Sequence, residues 1–142
     1  MKRSLQRALR RRLANPIVRA TLRSRLHRLL SGALILVTYT GRRSAREFTI
    51  PVMYVQTGAR LVVFVGDAEH KQWWRNLRGG APVEVQLRGS RHRGHAVAVR
   101  GSAGELDAPL REYLARFPKA ARAVQQEDPL VMVLVDLAPE SE

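Results

Sequence analysis

Cysteine is absent from the 142-residue sequence, which removes disulfides, thiol nucleophiles, iron–sulfur ligation and cysteine-type zinc sites together. A reducing, cytoplasmic setting is the expectation. No apolar run approaches the ~18–20 residues needed to span a bilayer, and no secretory h-region follows the basic N-terminus. Catalytic signatures are missing too: there is no GxSxG, no GxxxxGK, no HExxH, no GxGxxG and no cluster of carboxylates. His92 and His95 stand three apart on an extended segment, which sends them to opposite faces and predicts no metal site. Carboxylates are missing from residues 1–46, and Glu47 is the first acid.

The net charge of +13 is therefore unevenly spread. Residues 1–30 hold Lys2 and nine arginines without one acid, while the remainder carries fifteen basic and twelve acidic side chains. The charge describes an arm. Leu5, Leu9 and Leu13 repeat every four residues among arginines, which predicts a basic amphipathic helix. Asn15-Pro16 then starts a second helix, with Val18, Leu22, Leu26, Leu29 and Leu30 as its apolar stripe and Ser31-Gly32 as its stop. The organisation expected is a basic arm over 1–14, one domain over 15–138 and an acidic tail over 139–142. Arginine flanking a leucine face suits docking on an anionic lipid surface; packing of the second helix on the domain is the alternative. Such charge attracts phosphate generally, but no recognition motif accompanies it, so no specific nucleic-acid partner is expected.

From Ala33 the pattern becomes extended. Leu34–Thr40, Phe48–Gln56 and Leu61–Val65 are rich in β-branched and aromatic residues, with turns at Gly41–Ser44 and Thr57–Ala59. A short helix over Lys71–Leu77 precedes the Gly79–Pro82 break. Val83–Leu87 and Gly94–Arg100 alternate with period two and form a hairpin. Glu105–Val124 reads as a helix that Pro118 kinks or restarts, and Leu130–Leu137 is an apolar strand expected at the centre of a sheet. The fold class expected is α+β: a six-stranded, mostly antiparallel split β-barrel with N-terminal helices and further helices packed on it.

Two segments concentrate chemistry. Thr38-Tyr39-Thr40-Gly41-Arg42-Arg43-Ser44-Ala45-Arg46 places three guanidinium groups at one turn, suited to phosphate or carboxylate oxygens, and Lys71 could join them if the barrel brings the turns together. An exposed arginine turn would look the same. With only 6% aromatics in the chain, the pair Trp73-Trp74 stands out. On a helix one ring can plug the core while the other stacks on a planar ligand, although two core tryptophans would give the same sequence.

Leu36 to Ser44, then Thr49-Ile50-Pro51-Val52-Met53-Tyr54, then Trp73-Trp74-Arg75-Asn76-Leu77, resemble the deazaflavin-dependent nitroreductase family, also called the F420H2-dependent quinone reductases, over about Asn15 to Leu87. The resemblance implies a split barrel related to pyridoxamine-phosphate oxidases. It also implies hydride transfer from reduced coenzyme F420 to a quinone-like or nitro acceptor. Carried over by position, Arg42, Arg43, Ser44 and Arg46 would hold the anionic tail, with Lys71 beside them. Thr49, Pro51 and Tyr54 would line the ring pocket, and Trp73, Trp74 and Asn76 would close it. Tyr54, Tyr113 and Phe117 are acceptor-side candidates, and no catalytic nucleophile is assigned. Ala45 stands where the family's turn carries glycine, which predicts hindrance to a left-handed backbone. The loop Val65–Lys71 is shorter than the family's and brings in Asp67 and Glu69, which would repel a polyanion. The alternatives are FMN as cofactor, or a non-catalytic barrel holding a lipid, haem or other apolar ligand at a membrane. A homodimer and a peripheral place on the inner membrane face complete the expectations.

Overall fold

The computed structural model describes residues 33–139. The two helices expected over 1–30 and most of the acidic tail lie outside the described residues.

Alternation of buried and half-exposed residues forms the first strand, β1 (Leu34–Thr40), which buries Ile35, Val37 and Tyr39. It pairs with β2 (Glu47–Met53), and then follow β3 (Val55–Thr57), β4 (Arg60–Phe64), β5 (Ala81–Leu87), β6 (Ser90–Gly101) and β7 (Leu130–Leu137). The sheet order is β2-β1-β5-β6-β7-β4-β3, with antiparallel pairing throughout. Strand β7 is central, and its unbroken apolar run has a physical cause. Val131, Val133 and Val135 face one core cluster while Leu130 and Met132 face a second on the other side of the sheet.

The sheet has seven strands where six were expected. The segment expected as one strand over Phe48–Gln56 breaks at Tyr54, whose N–H donates to the Ala33 carbonyl at 3.2 Å. Before the break the chain pairs with β1; after it, with β4. The two pieces thus form opposite edges of one sheet, which curls into a half-barrel. Burying the Tyr54 side chain completely at the bend fills the interior where the edges converge.

The first cluster fills the inside of the curl and includes Tyr54, Leu61, Trp74, Leu77 and Val85. The second lies outside it, where α1 (Asp107–Arg116) brings Leu110 and Tyr113 onto Val62, Leu130 and Met132. Pro118, lacking an N–H, ends that helix and opens a 3-10 turn (Pro118–Ala120), and α2 (Ala121–Gln125) follows. Of the kink or restart expected at Pro118 within Glu105–Val124, the chain takes the restart. The stretch expected as a helix over Lys71–Leu77 is a 3-10 helix at Trp73–Leu77, preceded by another at Ala68–His70.

Candidate functional site

The turn between β1 and β2 is a closed loop. The Gly41 N–H donates to the Arg46 carbonyl at 2.8 Å, and the Ala45 N–H donates to the Gly41 carbonyl at 2.9 Å. The Arg46 N–H reaches the Ser44 hydroxyl at 3.3 Å. A Cβ at Gly41 would meet the Phe48 ring and Ser44 Oγ, each at 2.7 Å, so the close approach that forms the loop requires glycine there. Ala45 takes the left-handed backbone, with φ 56. The expected hindrance is thus a local strain that the loop's hydrogen bonds override.

The Trp73–Leu77 segment presents three rows of side chains, because residues three apart eclipse on a 3-10 helix. Trp74 and Leu77 form the buried row. The Trp74 indole N–H donates to the Ala68 carbonyl at 2.8 Å, so this ring plugs the core with its polar atom satisfied. Trp73 with Asn76, and Gln72 with Arg75 and Arg78, form the other two rows. These five residues face the turn across a cleft of about 530 Å³ whose other walls are Tyr39, Gly41, Arg42, Arg43, Ser44 and Phe48. Asn76 spans the cleft: its Oδ1 accepts the Arg42 N–H at 3.0 Å, and its Nδ2 donates to the Trp73 carbonyl at 3.1 Å.

The cleft is strongly cationic. Arg42 and Arg43 stand on one wall, Arg75 and Arg78 on the other, and none of its lining residues is acidic. The guanidinium carbons of Arg75 and Arg78 lie 5.0 and 5.7 Å from the Trp74 ring centroid, which stiffens that wall. A planar aromatic surface beside forked donors suits a ligand with a conjugated ring and an anionic tail. Asp67 and Glu69 do not face this cleft. They line a separate cavity of about 570 Å³ with Glu127, Asp128, Arg75 and Arg100, so the expected repulsion is directed elsewhere.

The structure thus brings Arg42, Arg43, Ser44, Trp73 and Asn76 together in one cleft. Arg46 and Lys71 are exposed and not among its lining residues. Thr49 and Pro51 point to the opposite side of β2 from Phe48, Ile50 and Val52, which pack on the core; Thr49 Oγ1 and Thr38 Oγ1 share a hydrogen bond at 2.7 Å. Tyr54 is wholly buried, its hydroxyl without a hydrogen-bond partner among the described residues, and the Arg116 guanidinium lies 5.3 Å from its ring centroid. Tyr113 and Phe117 pack together in the second cluster, centroids 5.0 Å apart, and burial pushes the Tyr113 phenol pKa up. Sequence reasoning did not select Gln72, Arg75 or Arg78 for the cleft; a three-residue spacing on a 3-10 helix would have grouped them, but the segment read as α-helical. His70 Nδ1 pairs with Asp67 Oδ1 at 2.7 Å at the rim of the acidic cavity, and the hydrogen bond and charge of Asp67 raise its pKa.

The sequence model of the F420H(2)-dependent quinone reductase family matches residues 10–136. A Mycobacterium tuberculosis protein bearing that family's name is 28% identical over 68 residues, covering 46% of this chain and 57% of its own length. The chain therefore aligns with little more than half of that relative. Among solved structures, an F420-H2 dependent reductase superposes with a TM-score of 0.63 at 21% identity, over 74% of this chain and 95% of its own. A chain described as a domain-swapped dimer gives a TM-score of 0.62 at 18% identity, over 84% of this chain and 96% of its own. At these identities the structural likeness concerns the fold.

Proposed function

Because the chain belongs to the F420H(2)-dependent quinone reductase family, we propose that it is an oxidoreductase that uses the deazaflavin coenzyme F420 to reduce a quinone-like or nitro acceptor. The observation that carries this reading is the cleft itself, with arginines on both walls, a half-buried tryptophan among its lining residues and no acid. Arg42, Arg43, Arg75 and Arg78 would hold the anionic tail, and Ser44 would add a hydroxyl. Trp73 offers the surface for the planar ring. When bound in its reduced form, F420 supplies a hydride, which with one proton from solvent takes a quinone carbonyl toward the hydroquinone. The chain contributes binding, orientation and a positive field.

We propose further that the acid-free arm over 1–30 keeps the protein at an anionic membrane surface, where apolar quinones partition; its leucine spacing among arginines supports this. Among the described residues no helix is long and apolar enough to cross a membrane. Pairing of two copies is a third element, supported by the likeness to a chain that forms a domain-swapped dimer.

The test is a titration of F420, and separately of FMN, followed by quenching of tryptophan fluorescence, on the wild-type protein and an Arg42→Ala, Arg43→Ala variant. Micromolar binding of F420 that weakens at least tenfold in the variant is expected. Failure of the wild type to bind F420 would overturn the proposal.

A further inference from the structure

Within the cleft, one side chain does something other than what its position suggests. Asn76 faces the space between the two arginine walls, where a carboxamide would ordinarily be taken for a ligand contact. Both ends of the amide are already committed. Its Oδ1 accepts the Arg42 N–H at 3.0 Å, and its Nδ2 donates to the carbonyls of Trp73 at 3.1 Å and Gln72 at 3.4 Å. With both N–H groups engaged, the carboxamide must give up a protein bond to donate to an anionic ligand, and the lone pair left on Oδ1 can only accept.

The bond to Arg42 also ties together two segments that lie 34 positions apart in the chain. The turn is otherwise closed on itself. The amides of Gly41, Ala45 and Arg46 are satisfied within residues 41–46, and the Arg42 amide is the one that reaches across to the opposite wall. The 3-10 segment is anchored independently by the Trp74 plug and its bond to Ala68. Asn76 therefore transmits the position of a core-anchored segment to an exposed turn.

We infer that Asn76 is a positioning residue: it acts through the Arg42 backbone to hold the arginine turn at fixed distance from the Arg75–Arg78 wall, setting the cleft's width for an extended anion. The consequence for binding rests on the functional reading above, whereas the strut itself does not. A rigid two-walled cleft avoids the ordering cost that a free arginine turn would incur on each binding event.

The experiment has a ligand-free arm and a binding arm, both on the full chain. In the first, amide exchange is followed by NMR in the wild type, Asn76→Ala and Asn76→Asp. Asn76→Ala should speed exchange at the Arg42 amide at least tenfold while leaving the core amides of Val85 and Val133 unchanged. Asn76→Asp keeps an acceptor oxygen and should keep the amide protected. In the second arm, affinities for F420 and for inorganic pyrophosphate are measured in a double-mutant cycle with Arg42→Ala, Arg43→Ala. Asn76→Ala should weaken binding five- to tenfold in the wild-type background and less than twofold where the two guanidinium groups are already gone. Equal losses in both backgrounds would mean a direct ligand contact and would overturn the inference, as would an Arg42 amide indifferent to Asn76→Ala. If the wild type binds pyrophosphate but not F420, the functional reading falls and the strut is judged by exchange and by the pyrophosphate cycle.

Discussion

Ala45 is exposed and sits at φ 56 in the middle of the arginine turn, so Ala45→Gly isolates backbone strain from any contact. A left-handed conformation costs a residue with a Cβ roughly 1–2 kcal/mol. Glycine removes that cost but widens the unfolded ensemble, giving back about 0.4–1 kcal/mol. The net expectation is a stabilisation of about 0.5–1 kcal/mol, or a rise of roughly 2–4 °C in Tm for a chain of this size. Circular dichroism melts and guanidinium titrations of the two proteins measure it. Ala45→Val supplies the opposite sign, because a β-branched side chain is hindered further at positive φ. The hydrogen bond from the Ala45 N–H to Gly41 at 2.9 Å survives either change, so cleft geometry should be retained in Ala45→Gly. A glycine variant that melts at or below the wild-type temperature would refute the reasoning, since it would mean the loop does not impose this conformation in solution.

Gly80, at φ 91, faces the His95 ring, which an added Cβ would strike; Gly80→Ala should cost about 1–3 kcal/mol, only part of it recovered in a His95→Ala background, as denaturant titrations would register. The Tyr54 hydroxyl is buried without a partner among the described residues, so Tyr54→Phe should be neutral or stabilise by roughly 1 kcal/mol; a loss of that size in the same titrations would contradict it. His70 is paired with Asp67, whose hydrogen bond and charge raise its pKa. Its folded pKa is raised, so the pair's contribution is complete below about pH 6.5 and fades as pH rises through the folded value. NMR titration should find His70 above 6.5, and Asp67→Asn should bring it down.

How much of this was readable beforehand depends on what each residue's pattern reports. The bounds of β1 and β7 follow from alternation and from an apolar run, because burial on one face or on both writes itself directly into sequence. The break at Tyr54 does not. Its neighbours Val52, Met53 and Val55 are good strand formers, and what ends β2 is a change of partner from β1 to β4, a tertiary event with no local signal. The seventh strand is therefore a product of closure, not of composition. The arginine turn was visible as a cluster of like charge, yet what the cluster faces depends on an element about thirty residues away.

That element shows the limit most clearly. Read at 100° per residue, Gln72, Arg75 and Arg78 step round the helix by about 60° each, so the first and last diverge by about 120° and do not form one row. At the 120° per residue of a 3-10 helix they fall into one row. The tighter winding is forced from two sides. The Trp74 indole bonds to Ala68 six residues back, which fixes the entry to the segment. At the exit, Gly79 and Gly80 at φ 79 and 91 turn the chain sharply into β5. Between these anchors the segment closes i to i−3 bonds, from the Arg75 N–H to the Gln72 carbonyl at 3.1 Å and from the Arg78 N–H to the Arg75 carbonyl at 3.4 Å. The second arginine wall is thus a consequence of how short the connection is, and lengthening it by one residue should scatter Gln72, Arg75 and Arg78 while leaving every side chain of the cleft chemically intact.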